Sequence, residues 1–292
     1  MKLRLIACGK VNWTLEVLGR RDDGYHEIHS VFQTLSLHDT VEVSPSGHLE
    51  LQVSGNCSPV GPAEDDLAYR AALALREEVG TPELGALVEL EKVVPAAAGL
   101  GGGSSDAAAV LRGLNRLWGL DFDTERLTRI GATLGSDVPF FLVGGTARAG
   151  GRGDEIEPLQ DVPPLMLTIA VSSDRPRQKT AQMYRQLRPG HFTSGERTAK
   201  LVEKIASGGS ISDGDIFDTF ESVLFEAMPL AALMKEECEQ RGACPHLAGS
   251  GPALFFLSGL SSETQQRLRR AGMTLIRTKT VTAEESTAWE EL

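Results

Sequence analysis

The chain has 292 residues, with 29 lysines and arginines against 40 aspartates and glutamates, a formal net charge of −11. At 41% apolar and 24% charged residues it has the composition of a globular protein of one or two domains, which excludes disorder and fibrous repeats. The acidic balance repels polyanions, so nucleic acid and anionic membrane surfaces are excluded as non-specific partners, while a small anionic ligand in a locally positive pocket is not.

Residues 2–18 contain β-favouring stretches that end at Arg20-Arg21-Asp22-Asp23-Gly24. The Asp-Gly pair between extended segments predicts a hairpin. Strands follow over 28–36, 39–44 and 49–53. Asp66 to Val79 reads as a helix, with Leu67, Ala71, Ala74 and Leu75 on one stripe. Leu87 to Val94 alternates and stops at Pro95, as a strand end does. A strong helix spans Ser104 to Trp118, and another spans Asp123 to Leu134 with Asp123 or Thr124 as its N-cap. Composition changes near Pro158, and Asp161-Val162-Pro163-Pro164 reads as a linker. Beyond it the pattern predicts a strand (165–172), helices (178–187, 197–206, 215–228, 230–241), strands (245–248, 253–258), a helix (261–271) and a last strand (273–281). Strands split by helix pairs suggest an α+β sandwich of ferredoxin-like type.

Leu5-Ile6-Ala7-Cys8 superficially resembles a lipoprotein cleavage site, but no apolar core of about 7–15 residues precedes it. The longest mostly apolar run, 162–171, is far below the roughly 20 residues that span a bilayer. Cys8, Cys57, Cys238 and Cys244 form no CxxC pair and read as reduced thiols of a soluble, cytoplasmic protein.

Glycine is over-represented: 31 residues, where an average usage of about 7% gives roughly 20. The surplus concentrates in three places, 99–103, 144–153 and the pair Gly249 and Gly251. The first lies in Pro95-Ala-Ala-Ala98-Gly99-Leu100-Gly101-Gly102-Gly103-Ser104-Ser105-Asp106, between a strand and a long helix. Glycine permits positive φ and close backbone approach, and the helix start offers unpaired N–H groups carrying partial positive charge. That combination is a cradle for a polyphosphate, with Ser104 and Ser105 as added hydroxyl donors. It is neither a Walker A loop nor a GxGxxG turn; the bland alternative is a flexible turn with serine caps.

Pro95 through Ala109 resembles the phosphate loop of the GHMP kinases, which phosphorylate small alcohols with ATP. The likeness continues, in family order, at Lys10-Val11-Asn12, at Arg21-Asp-Asp-Gly-Tyr25-His26, at Gly135-Ser-Asp137-Val-Pro-Phe-Phe141 and at Ala248-Gly-Ser-Gly251. It implies a two-domain α+β GHMP kinase fold: an ATP-binding, ribosomal-protein-S5-like α/β domain over 1–158 and a ferredoxin-like α+β domain over 159–292. It further implies ATP and Mg²⁺ as cofactors and a monomer or homodimer with no nucleic-acid or membrane partner. The Gly-Leu-Gly-Gly-Gly-Ser-Ser-Asp form looks like that of the branch whose acceptor is a cytidine-diphosphate-linked methylerythritol.

Several residues have a plain local reading beside the one that the resemblance implies. Lys10 alone reads as a surface or edge lysine; the resemblance makes it the cation that offsets charge on the transferring phosphoryl group. Asp137 reads locally as a turn or capping aspartate; the resemblance makes it the acid that orients the acceptor hydroxyl or deprotonates it. Asn12, two residues along the strand, shares the Lys10 face and by resemblance hydrogen-bonds the substrate. His26 and His29 fall on opposite faces of a strand and offer no metal site; the metal ligands are not legible. By resemblance His26 hydrogen-bonds the cytosine, Tyr25 helps line its pocket, Tyr184 stacks on the base and Thr180 meets the erythritol. Tyr184 reads equally well as a core aromatic of its helix. Gly249-Ser250-Gly251 would pack against the phosphate loop. The chain departs from the family pattern at Cys8-Gly9, at Asp66 near the adenine pocket, and at Pro252, which has no N–H to offer.

Overall fold

The computed structural model describes residues 1–55, 62–172, 179–257 and 259–292. Cys57, residue 178 and Ser258 therefore lie outside the described residues. Two long strands, β1 (Leu3–Arg20) and β2 (His26–Ser44), form the hairpin expected at Asp23-Gly24, closed by the bond from the Gly24 N–H to the Arg21 carbonyl at 3.1 Å. The separate strands expected at 28–36 and 39–44 are one strand. A register shift between Cys8 and Lys10 absorbs the irregularity that breaks the sequence pattern. β3 (Leu49–Gly55) and β4 (Ala86–Lys92) pair in parallel, connected through α1 (Leu67–Val79), whose N-cap Asp66 accepts the Ala68 N–H at 2.8 Å.

After the glycine loop come α2 (Gly102–Leu117), α3 (Thr124–Leu134) and α4 (Val138–Val143), then a second hairpin, β5 (Thr146–Gly150) and β6 (Glu155–Pro158). Asp123 caps α3 through the Arg126 N–H at 2.8 Å, as expected. The remaining chain runs β7 (Met166–Ser172), α5 (Lys179–Gln186), α6 (Glu196–Ala206), β8 (Phe217–Asp218), α7 (Leu224–Ala227) and α8 (Pro229–Glu239). It finishes with β9 (His246–Leu247), β10 (Leu254–Phe256), α9 (Ser262–Arg270), β11 (Met273–Lys279), α10 (Ala283–Ser286) and β12 (Trp289–Glu291).

One expected element is overturned. The helix at 215–228 is instead β8, a 3-10 turn over Thr219–Val223, and short α7. Phe217 and Asp218 pair in parallel with Thr14 and Leu15 of β1, and the Asp218 carboxylate caps the turn through the Phe220 N–H at 2.9 Å. Pro229 then keeps Met228 out of the helical region and begins α8.

The first sheet has the order β12-β1-β2-β4-β3, with β5 on β2, β6 on β5 and β8 on β1. The second is antiparallel with order β11-β7-β10-β9, the arrangement of a ferredoxin-like βαββαβ unit. One face of the first sheet buries Leu5, Val41, Val43, Val88 and Leu90 under α1 and α2. The other face buries Val11, Trp13, Val31 and Leu35 against Leu167, Ile169 and Phe255 of the second sheet. Residues 7–17 of β1 are thus buried on both faces, and any polar side chain there must find a partner. No helix among the described residues is long and apolar enough to cross a membrane.

Candidate active site

The glycine loop is shaped by what touches it. Gly101, at φ 73°, is the N-cap of α2, and a Cβ there would lie 2.7 Å from the Phe141 ring. A Cβ on Gly99 would lie 2.0 Å from the Ala248 carbonyl oxygen, at φ 91°. Positive φ and close approach together leave glycine as the residue that fits both positions. The first intrahelical bond of α2 runs from the Ser105 N–H to the Gly101 carbonyl at 3.0 Å. The amides of Gly102, Gly103 and Ser104 therefore have no acceptor within the helix, and all three residues line a cavity of about 1460 Å³. Pro95, Ala98, Gly99, Leu100 and Gly101 line it as well. Ser105 does not: it is only 2% exposed, on the packed side of α2. The expected second hydroxyl donor is thereby corrected, because helical periodicity turns Ser105 away from Ser104.

The turn at Ala248–Gly251 packs on this loop. The Ala253 N–H donates to the Ala98 carbonyl at 3.2 Å, and a Cβ on Gly249 would lie 3.2 Å from both the Gly99 carbonyl oxygen and Lys10 Nζ. Ser250 shares a 2.8 Å hydrogen bond with Thr180 at the start of α5. The contact that the resemblance implied thus brings the loop and the ferredoxin-like unit to one cavity wall.

Lys10 sits where both faces of β1 are covered and is 4% exposed. Its backbone N–H donates to the Leu100 carbonyl at 2.9 Å, tying the strand to the loop. Its ammonium donates to Asn12 Oδ1 at 2.7 Å, lies 3.7 Å from Asp137 Oδ2 and sits 4.9 Å from the centre of the Phe32 ring. Asn12 is fixed in turn, donating through Nδ2 to Ser30 Oγ at 2.8 Å, and Ser30 donates to the Thr14 carbonyl. Asp137 stands at the N-terminal end of α4 but makes no side-chain capping bond. Its carboxylate is one-third exposed and lines the cavity. The capping reading of Asp137 is thus not what the fold uses.

At the far end of the cavity, the His26 and Tyr184 rings stack with centroids 4.7 Å apart and planes 24° apart. Tyr184 also meets Phe220 edge-on at 4.9 Å, so its ring belongs both to the core of the second unit and to the cavity wall. Tyr25 is half exposed, and the Arg152 guanidinium lies 5.2 Å from its ring centre. Burial, reinforced by the charge of Arg20, holds the His26 pKa below its ordinary value, so the ring is neutral at pH 7. Burial and the nearby carboxylates of Asp137 and Asp218 push the Tyr184 hydroxyl above its usual range, and it stays protonated.

Sequence reasoning overlooked two groups. Beneath the loop, Lys92 at the end of β4 donates to both Asp39 and Asp106, and Asp39 also accepts the Val94 N–H at 2.7 Å. Burial, opposed by Lys92 and reinforced by Asp39, pushes Asp106 well above the usual carboxylate range. Lys92 stays charged, because its two acidic partners outweigh its own burial. The signal was Asp106 itself, in the first helical turns after the loop, where an aspartate on a packed face requires a cation. Second, Arg20, Arg152 and Arg185 line the same cavity. They come from β1, the β5–β6 turn and α5, so no spacing in the sequence joins them. Asp66, the departure from the family pattern, lines the opposite end while capping α1.

Residues 66–145 match the model of the GHMP kinases N terminal domain. The chain is 44% identical over 257 residues to the 4-diphosphocytidyl-2-C-methyl-D-erythritol kinase of Dehalococcoides mccartyi (strain CBDB1), covering 87% of this chain and 89% of that one. To the kinase of the same name from Pelotomaculum thermopropionicum it is 39% identical over 287 residues, 96% of this chain and 98% of the relative. A crystal structure of 4-(cytidine 5'-diphospho)-2C-methyl-D-erythritol kinase superposes with a TM-score of 0.77 at 34% identity, over 95% of this chain and 98% of that one. The homoserine kinase of Cytophaga hutchinsonii, at 18% identity and a TM-score of 0.67 over 96% and 95% of the two chains, shares the fold. With its loop, its paired sheets and relatives of this identity along most of its length, the chain belongs to the GHMP kinases and, within them, to the 4-diphosphocytidyl-2-C-methyl-D-erythritol kinase family.

Proposed function

We propose that the protein transfers the γ-phosphoryl group of ATP to the 2-hydroxyl of 4-diphosphocytidyl-2-C-methyl-D-erythritol, a step of non-mevalonate isoprenoid precursor synthesis. The observation that carries this reading is a single continuous cavity joining the glycine loop, the Lys10–Asp137 pair and the His26–Tyr184 stack. A nucleotide polyphosphate fits the amides of residues 102–104, where the helix end favours negative charge. A planar base fits the aromatic end, between Tyr25 and Tyr184, with the neutral His26 ring offering one donor and one acceptor. The acceptor hydroxyl then falls between, beside Asp137.

Phosphoryl transfer asks mostly for positioning and charge stabilisation. Asp137, free of any capping role, orients the hydroxyl and takes its proton as the new P–O bond forms. Lys10, held by Asn12, places one fixed positive charge against the phosphoryl oxygens; as it is buried, little reorganisation is needed when charge develops. Thr180, linked to Ser250, borders the erythritol. Mg²⁺ keeps several waters and binds through one or two protein oxygens plus substrate phosphates. Among the described residues no group of three His, Cys, Asp or Glu side chains forms a dedicated cage, but Ser104 and Asp137 supply oxygens on the cavity wall, so the ion fits as a companion of the nucleotide. When bound it neutralises phosphate charge. Buried free thiols at Cys8 and Cys238 suit a cytoplasmic setting. We also place the domain division near residue 158, giving 1–158 and 159–292; the change of sheet between β6 and β7 supports it.

The decisive measurement is ADP release by the purified protein with the cytidine acceptor and with mevalonate. ADP is expected with the first and not with the second; the reverse, or no ADP with either, sinks the assignment. Asp137→Ala should retain its fold by circular dichroism and lose kcat by at least ~10²-fold, and near-unaltered kcat would falsify the role given to Asp137.

A further inference from the structure

Lys10 and Asn12 stand where both faces of β1 are covered, and what holds them lies behind the cavity wall. Between Asn12 and Thr14 the β1–β2 register shifts. Asn12 is opposite Phe32 and Thr14 is opposite Val31, so Trp13 is the extra residue of a β-bulge. At this bulge Ser30 of β2 bonds both the Asn12 side chain and the Thr14 backbone. Ser30 is fully buried and is not part of the cavity wall. Its hydroxyl lies 2.5 Å from the Thr14 carbonyl oxygen and 2.8 Å from Asn12 Nδ2. A carbonyl only accepts, so the single Ser30 proton is committed to Thr14, and only lone pairs are left for Asn12. That decides which way the Asn12 amide faces. Its Nδ2 donates to Ser30, and its Oδ1 accepts from Lys10 Nζ at 2.7 Å. The flipped amide would set N–H donors against the ammonium and an acceptor against a hydroxyl with no free proton. Thr14 is held in turn: its Oγ1 accepts the Val31 N–H at 3.1 Å and, at 2.9 Å, the hydroxyl of Thr198 in the first turn of α6.

We propose that Ser30 is a positioning residue for phosphoryl transfer: out of reach of either substrate, its hydroxyl fixes the Asn12 amide and, through it, the direction of the Lys10 ammonium. The inference rests on the role given above to Lys10. A lysine ammonium rides on a flexible stem with three rotatable donors, and burial by itself does not aim it. With one proton bound at Asn12 and Asp137 Oδ2 3.7 Å away, the ammonium has donors left for the phosphoryl oxygens that enter the cavity. A donor that is already aimed stabilises developing charge without reorganising, and one free to turn does so less. An apolar residue at position 30 would fill the space but leave the Asn12 amide able to turn.

The test is S30A, with S30C, close in size but a poor acceptor, as a second variant. Steady-state ADP release should give S30A a kcat about 10-fold lower with the ATP KM within about twofold, because the glycine loop is untouched. In the N12A background the same substitution should change kcat by less than about twofold, since Ser30 acts through Asn12. A signature independent of turnover comes from NMR of protein labelled with ¹⁵N at lysine Nζ, without ATP or acceptor. The Lys10 ammonium, identified by its loss in K10M, should give a slowly exchanging signal in the unaltered protein that S30A and S30C weaken or lose. Unchanged kcat in S30A, an equal loss of kcat with and without Asn12, or a Lys10 signal that the unaltered protein lacks or S30A keeps overturns the proposal. Absence of ADP production by the unaltered protein with the cytidine acceptor counts against the functional reading instead, and the ammonium signal still decides whether Ser30 fixes Lys10.

Discussion

Lys10 and His26 show how much of a residue's role depends on what surrounds it. A lysine in an apolar stretch is ordinarily exposed, and only the covering of β1 on both faces makes Lys10 a buried charge held by Asn12 and Asp137. Asp137 is the converse: a plausible cap by position, it is left without that duty by the geometry of α4 and keeps its carboxylate for the cavity. His26 carries a pH prediction. Burial and Arg20 lower its pKa below the ordinary imidazole value, so the neutral ring predominates at pH 7 and above. The acceptor KM should be flat over that range and rise only at more acid pH, where protonation removes the ring's acceptor. His26→Ala should raise the acceptor KM at every pH and abolish the acid-limb dependence. A KM that climbs steeply already between pH 8 and 7 in the unaltered protein would contradict a lowered pKa.

The elements that present the loop are held by a buried charge cluster at the wall of the cavity. Lys92, Asp39 and Asp106 join the end of β4, the middle of β2 and the second turn of α2 in one buried cluster. Removing the shared cation leaves two buried carboxylates facing each other. Lys92→Met should therefore cost about 3–5 kcal/mol of stability, read from the urea midpoint at unchanged m value. A loss below about 1 kcal/mol would mean that the cluster does not hold α2 to the sheet. Part of this level was legible in the residue pattern: the hairpin at Asp23-Gly24, the N-cap at Asp123 and the strand–loop–helix around 99–103 follow local rules of turn, cap and period. The segment 217–227 did not, because Phe217 and Asp218 pair with Thr14 and Leu15 about 200 residues away, and tertiary pairing outweighs helical propensity.

For the molecule as a whole, the chain's end returns to its beginning. β12 pairs with β1, Leu3 opposite Glu291 and Leu5 opposite Trp289, and the Leu292 N–H donates to the Lys2 carbonyl at 2.9 Å. The Arg116 guanidinium lies 3.6 Å from the Trp289 ring centre, Asp161 bridges the Thr146 and Ala283 amides, and Ser286 Oγ accepts the Gly145 N–H. At ~1 kcal/mol net per hydrogen bond, deleting residues 283–292 should lower Tm by about 6–12 °C in calorimetry. An unchanged Tm would show the return to be ornamental.

The sequence by itself determined the strand–loop–helix that presents the glycines of 99–103, because turn glycines and a long amphipathic period are local properties, and it marked Lys10, Asn12, Tyr25, His26, Asp137, Thr180 and Tyr184, all of which reach one cavity. It also foresaw the order of strands and helices that closes into a ferredoxin-like sheet. Only the tertiary structure decided that Ser105 is buried, that Asp137 is relieved of capping, that Lys92 is shared by two acids and that arginines from three distant elements line one cavity. Those outcomes depend on which side chains meet across elements distant in the chain, and local period and propensity carry no information about such meetings.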